Sequence, residues 1–284
     1  MELTYKQQIK EAAEVLKGKL AGADQPVIGL ILGSGLGNLA EQVESPVTIP
    51  YNEVPHFPIS TVDGHAGQFV VGMLEGKPVI VMQGRFHYYE GYPMKNVVFP
   101  VYVMKQLGVK SLVITNAAGG MNRSFQAGDL MLISDHINLT GDNPLIGPND
   151  PELGVRFQDM SEAYNRDYRT LAKRIAQQLG EQSGEPIRLQ EGVYSGISGP
   201  TYMTPAELIM LARVGGDAVG MSTVGEVIAA RHAGLNVLGI SCITDMAIGE
   251  ELEPLTHEQV VAVANRTKPK FIALVKQFVR EVEL

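Results

Sequence analysis

Runs of β-branched and aliphatic residues recur along the chain, and most of them do not alternate with polar positions. Val-Ile-Gly-Leu-Ile-Leu at 27–32, Phe-Val-Val-Gly-Met at 69–73 and Val-Ile-Val-Met at 79–82 are the first three. Similar runs follow at 111–115, 130–134, 192–197, 218–221 and 237–244. Their length, β-branching and flanking turn residues predict strands, and the missing alternation predicts strands buried on both faces. Between them, apolar residues at three- and four-residue spacing predict helices over 4–20, 96–107, 162–182, 205–214, 224–232 and 257–282. Strands alternating with helices imply an α/β fold: a central mixed, largely parallel twisted sheet flanked by helices on both faces.

Three of these helices begin with a capping box. Thr204 precedes Glu207, with Pro205 at the first helical position; Thr223 precedes Glu226, and Thr256 precedes Gln259. Strand-to-helix junctions form the ligand rim of open α/β sheets, so these starts are candidate site positions. The box at Thr256 puts His257 in a first helical turn that faces such a rim.

Composition narrows the function classes. With 284 residues, 45% of them hydrophobic and 19% charged, the chain can bury one large core, and the irregular stretch 141–154 keeps apolar residues as a loop rather than a linker. A single domain over 1–284 is expected. A net charge of −8 argues against nucleic acid as the main partner but leaves room for a local anion pocket. The one cysteine, Cys242, lies in an apolar run and suits core packing better than nucleophilic catalysis. The polar start at 1–10 and the absence of a spanning apolar stretch lead us to expect a cytoplasmic protein with no membrane partner. His56, His136 and His232 have no metal-ligand spacing, and no metal is expected.

The richest stretch is Met-Gln-Gly-Arg-Phe-His-Tyr-Tyr-Glu-Gly-Tyr at 82–92. Arg85, His87 and Tyr89 are alternate residues, and in an extended segment they share one side. A cation, a titratable ring and a phenol suit an anionic, hydroxyl-bearing ligand; a solvated loop is the competing reading. Gly33-Ser34-Gly35-Leu36-Gly37 follows a strand and matches neither dinucleotide nor Walker spacing, which leaves a phosphate cradle or a tight turn. Thr115-Asn116-Ala117-Ala118-Gly119-Gly120 closes a strand with small residues, either a surface for a planar ligand or a close-packed turn. Gly220-Met221-Ser222-Thr223 leads into a capped helix and offers either an anion contact or packing through Met221. His65, between glycines, is an anion contact or a turn histidine.

Taken together, these blocks resemble the trimeric purine nucleoside phosphorylases, a family that also contains methylthioadenosine phosphorylase. The likeness runs from about residue 27 to the C-terminal helix, and adds Gly199-Pro200, 219–224 and Ala230-Arg231-His232 to the motifs above. It implies a phosphate site of Ser34, His65, Arg85, the Ala117 backbone N–H and Ser222. It implies a ribose site of His87, Tyr89, Met221 and His257. The purine is expected against Ala117, Ala118 and Gly119, near Tyr202 and Val219, with its polar edge toward Met203 and Asp245. Phe157 resembles the aromatic that such enzymes lend to a neighbouring subunit's sugar site, which implies a homotrimer. His87, Arg85 and Asp245 carry the chemistry on this reading; inorganic phosphate is a co-substrate and no cofactor is needed.

Two positions depart from the family pattern. Enzymes selective for 6-oxopurines carry Gly-Pro-Ser-Phe-Glu and Ile-Thr-Asn, whereas this chain has Gly199-Pro200-Thr201-Tyr202-Met203 and Ile243-Thr244-Asp245. Met203 cannot accept from a purine N1–H, and an ionised Asp245 accepts from a 6-amino group but repels O6. Selectivity shifted toward 6-aminopurines is therefore expected. Asp245 is also what a methylthioadenosine phosphorylase would carry, but that relative has an apolar residue where His257 stands. A silent nucleoside-binding relative is the remaining alternative, and the intact phosphate motifs speak against it.

Overall fold

The computed structural model describes residues 3–61, 66–254 and 256–284. Its centre is β1 (Ile28–Leu32), hydrogen-bonded in parallel to β4 (Lys77–Gln83) on one side and to β5 (Ser111–Gly120) on the other. Side chains of β1 show why its sequence lacks alternation. Ile28, Leu30 and Leu32 join a core beneath α4 (Arg166–Ser183) and α7 (His257–Glu281), while Ile31 faces the opposite core, which includes residues of α1 (Tyr5–Lys19), α3 (Phe99–Gln106) and α6 (Val224–His232). Both faces are covered, as expected.

Beyond β4 the sheet continues antiparallel through β3 (Gln68–Leu74) to β2 (Glu44–Pro50) at its edge. The apolar pattern does not reveal β2, because most of its residues face solvent and it carries Pro46 and Pro50, which an edge strand tolerates. On the other side β5 does double duty. It runs parallel to β9 (Asn236–Met246), and past a register shift at Ala118/Gly119 its tip also pairs antiparallel with β8 (Ala218–Gly220). From β8 the pairing passes to β7 (Leu189–Ile197), then β6 (Leu130–Leu139), and back to β9. Five strands thus close on one another, where the sequence suggested an open sheet. Among the described residues five of the nine pairings are parallel and four antiparallel, so the sheet is mixed, as expected.

Helix ends follow the caps read from sequence. Thr204, Thr223 and Thr256 start α5 (Pro205–Arg213), α6 and α7, and Thr4 with Gln7 forms a further box at α1. The helix expected over 96–107 is broken into α2 (Met94–Val97) and α3. Pro100 is the cause, because it has no N–H to donate to the carbonyl one turn back. Among the described residues no helix is long and apolar enough to cross a membrane. Cys242 is buried on β9, and burial pushes its thiol up to about 11, which leaves it a core residue.

Candidate active site

Where β1, β4, β5 and β9 end beside the β8–α6 junction, a cavity of about 900 Å³ opens. Its deepest polar feature is Arg85, only 1% exposed just beyond β4. The carboxylate of Glu226 on α6 accepts from Arg85 Nε at 3.1 Å and Nη2 at 2.6 Å, and the Thr115 carbonyl accepts from Nη1 at 2.5 Å. Phe86 points the other way, into a cluster of Tyr51, Phe57 and Phe69, and the Tyr51 hydroxyl donates to the Gly84 carbonyl at 2.7 Å. The alternation of Arg85, Phe86 and His87 therefore anchors the segment in the core while its flanking residues line the cavity.

The glycine loop makes the adjacent wall. Gly33 donates its N–H to Thr115 Oγ1 at 3.1 Å, and a Cβ there would fall 2.7 Å from the Asn116 Cα. Only glycine lets the end of β1 lie this close to β5. Ser34 and Ala117 line the cavity here, and Ser222 does so from the start of α6. Thr223 holds a positive φ of 76°, and Val224 N–H bonds to the Ser222 carbonyl at 2.8 Å. For a β-branched residue this is a strained tight turn, costing on the order of 1–3 kcal/mol. Asn116 Nδ2 donates to Thr223 Oγ1 at 2.9 Å, and the Ser222 and Thr223 hydroxyls are 3.0 Å apart.

His87 and Tyr89 form the next wall, but not as neighbours along a strand. His87 is extended, and residues Tyr88–Glu90 then coil into a 3-10 turn, so the two rings stack at 4.7 Å with planes 18° apart. The expected extended trio is corrected on this point: the stack, not the pleat, brings them together. Burial pushes the Tyr89 phenol up to about 12, so it stays a neutral hydroxyl.

Glu90 accepts from the His87 backbone N–H at 2.7 Å and lies 3.2 Å from His87 Nδ1, and Thr61 donates its N–H and hydroxyl to the other oxygen. Burial alone would raise this carboxyl, yet the bonds from His87 and Thr61 outweigh it and hold it at about 2. A depressed carboxyl stabilises the fold above its unfolded value of about 4.3, and that contribution is lost as pH falls toward the folded value. Urea denaturation at about pH 6 and pH 3 should show a stability loss at the lower pH that is smaller in Glu90→Gln. An equal loss in both proteins would assign the acid sensitivity elsewhere.

The third wall is flat and mostly apolar. Ala118 and Gly119 on β5 face Val219 on β8, with Met203 and Met221 resting on a small core of Met121, Ile197, Leu208, Leu211 and Ala247. The bulge at Ala118/Gly119 sets Gly119 opposite Asp245, and a Cβ on Gly119 would lie 2.9 Å from Ala247 Cβ and 3.1 Å from Asp245 Oδ2. Burial raises the Asp245 carboxyl, offset in part by the Thr244 hydroxyl, which donates to Oδ1 at 2.9 Å. Tyr202 lines the mouth, and His257 faces the cavity from the first turn of α7.

Among the described residues one expected residue, Phe157, is not in this cavity. His65 lies outside the described residues. Phe157 is 89% exposed and lines no part of the cavity. Three residues that sequence reasoning passed over belong to the site's support: Glu226, Glu90 and Asn116. Glu226 was visible only as a capping partner of Thr223, and nothing in the spacing tied it to Arg85. His56, His136 and His232 bond to Glu11, Tyr164 and Tyr102 and stand apart from the cavity. Among the described residues no cluster of histidine, cysteine and carboxylates is arranged to hold a metal.

Known proteins match this arrangement over nearly the whole chain. The model of the phosphorylase superfamily matches residues 27–280. Purine nucleoside phosphorylase 1 of Geobacillus stearothermophilus is 58% identical over 274 residues, covering 96% of this chain and 97% of the relative. Among solved structures, Schistosoma mansoni purine nucleoside phosphorylase in complex with adenosine has a TM-score of 0.91 at 41% identity, over 99% of this chain and 100% of that one. Isoform 2 from the same organism, in complex with cytosine and ribose-1-phosphate, also has a TM-score of 0.91, at 43% identity over 98% of this chain and 97% of that one.

Proposed function

The chain belongs to the phosphorylase superfamily and within it to the purine nucleoside phosphorylases, and from that premise we propose how its own residues divide the phosphorolysis of a purine nucleoside. The observation that carries the reading is one cavity that holds Arg85 with the Ser34 and Ser222 hydroxyls at one end, His87, Tyr89, Met221 and His257 in its middle, and a flat apolar wall ending in the Asp245 carboxyl. Phosphate sits at Ser34, the Ala117 N–H, Arg85 and Ser222, together with His65. The sugar lies between the His87–Tyr89 stack, Met221 and His257. The purine lies on Ala117, Ala118 and Gly119, with Tyr202, Met203 and Val219 around it and Asp245 at its polar edge.

In the reaction a phosphate oxygen bonds to the anomeric carbon as the bond to purine N9 breaks. The bonding pair leaves with the purine, and the sugar becomes cationic between the two anions. Arg85 and the backbone donors hold phosphate in line, and His87 lies between phosphate and sugar. A proton delivered at N7 neutralises the departing base. The raised carboxyl of Asp245 suits that delivery, because it holds its proton nearer neutrality than an ordinary aspartate. Its second oxygen accepts from a 6-amino group and repels O6, and Met203 offers N1 no acceptor, so the base preference leans toward 6-aminopurines.

Phosphate-dependent base release from adenosine, inosine, guanosine and methylthioadenosine tests this reading. Adenosine should be turned over at least as well as inosine; an enzyme confined to inosine and guanosine would sink the selectivity. Preference for methylthioadenosine, with His257→Leu leaving it unchanged, would favour the 5′-methylthio reading.

We further propose a homotrimer in which Phe157 completes a neighbour's sugar site; its ring stands 89% exposed, where a neighbouring subunit can reach it. Sedimentation should give a trimer, and Phe157→Ala should raise the nucleoside KM by roughly tenfold with the phosphate KM unchanged. A monomer of full activity is the contrary result. The lone thiol and the soluble substrates suit the cytoplasm.

A further inference from the structure

We propose that Glu226 is a positioning residue for phosphate, tying the Arg85 guanidinium to the Ser222–Thr223 turn so that two walls of the anion end keep a fixed spacing. The inference rests on the reading of Arg85 and Ser222 as phosphate contacts. Its starting point is one oxygen with two tasks. Glu226 Oε2 accepts from Arg85 Nη2 at 2.6 Å and from the Thr223 backbone N–H at 3.1 Å, while Oε1 takes Arg85 Nε. The side chain is 4% exposed, so both charges of the pair are withdrawn from water together.

Capping the helix does not explain this arrangement. The boxes at Thr4, Thr204 and Thr256 cap their helices with an extended cap residue, and their Gln or Glu partners bond back to the cap at exposed positions. At α6 the cap residue is instead forced to a φ of 76°, and its partner is buried against an arginine. What the strained turn achieves is visible in its hydroxyls. Thr223 Oγ1 is held by Asn116 Nδ2 and lies 3.0 Å from Ser222 Oγ, so the turn orients the Ser222 hydroxyl toward the cavity wall shared with Ala117. The chain Asn116–Thr223–Glu226–Arg85 therefore links β5, α6 and the segment after β4 through polar groups alone. Its members are rigid only while the carboxylate bridges them.

Glutamine at 226 would present one acceptor and one donor where the arginine and the turn need two acceptors. Steady-state kinetics with inorganic phosphate and nucleoside varied separately distinguish positioning from general support. Glu226→Gln should raise the phosphate KM about tenfold or more while the nucleoside KM stays within about twofold of wild type. A phosphate KM within twofold of wild type, or both KM values rising in parallel, overturns the proposal. Glu226→Asp keeps the buried charge but is one methylene too short to hold both the Arg85 guanidinium and the Thr223 backbone N–H, so it decides the matter if the glutamine variant does not fold. It too should raise the phosphate KM selectively, and an unchanged value overturns the proposal. A wild-type protein that releases base without phosphate would remove the phosphorolysis reading and this inference with it. Phosphate-dependent wild type with unaltered variants removes the inference alone.

Discussion

Asp245→Asn is expected to invert the base preference, lowering kcat/KM for adenosine by roughly 10²-fold or more and raising that for inosine. The side chain sits at the end of the flat wall opposite Gly119, where an added Cβ would lie 3.1 Å from Oδ2. As a carboxyl raised by burial, it can donate one proton to N7 and accept a 6-amino hydrogen on the other oxygen. Asparagine keeps the shape and reverses the outer group: its NH₂ donates to O6 but meets a 6-amino group donor to donor. A site that leaves a buried donor unpaired loses its substrate strongly, which sets the magnitude. The pH dependence has a definite sign. Adenosine turnover by wild type should fall relative to inosine turnover by Asp245→Asn as pH rises and Asp245 gives up its proton. Parallel profiles, or an unchanged adenosine-to-inosine ratio, would remove Asp245 from base recognition.

Arg85→Ala should have the largest combined effect, on the order of 10³-fold in kcat/KM and about 3–5 kcal/mol in stability. The activity loss follows from taking the fully buried Arg85 guanidinium from the anion end. The stability loss has a separate cause: Glu226 would be left charged in the core with its bidentate partner gone. Chemical denaturation and phosphate kinetics measure the two independently. Pairing the change with Glu226→Gln should restore much of the stability and none of the activity, because the buried charge is then absent but so is the phosphate contact. Rescue of activity by the double variant would contradict the assigned role. Lysine at 85 should restore little, since a point charge cannot reproduce two parallel bonds to a carboxylate and a third to the Thr115 carbonyl.

The residues that would meet phosphate, sugar and base were legible because their chemistry is local. A glycine run after a strand, small residues at the tip of β5 and a hydroxyl before a capped helix are short-range patterns, and most of them converge on the cavity. The residues behind them were not legible. Glu226 reads as an ordinary cap partner, and its distance of 141 positions from Arg85 leaves no trace in spacing. Glu90 reads as one more acidic loop residue until the 3-10 turn folds it under His87. The same limit applies to the fold. Strand β2 escaped notice because an exposed edge strand has no apolar run, and one expected helix is two because Pro100 interrupts its ladder.

By itself, the sequence determined the alternation of strands and helices, the burial of both sheet faces, the helix starts and the residue types offered to a nucleoside and phosphate. These follow from periodicity and from groups close together along the chain. Only the tertiary structure decided that β5 pairs with both β8 and β9, so that five strands close on one another beside the site. Only it decided that Arg85 is neutralised by Glu226 and that Phe157 is left outside, facing solvent. The physical reason is the same in each case. Strand closure, charge burial and exposure depend on which distant surface arrives, and that is settled by packing rather than by local pattern.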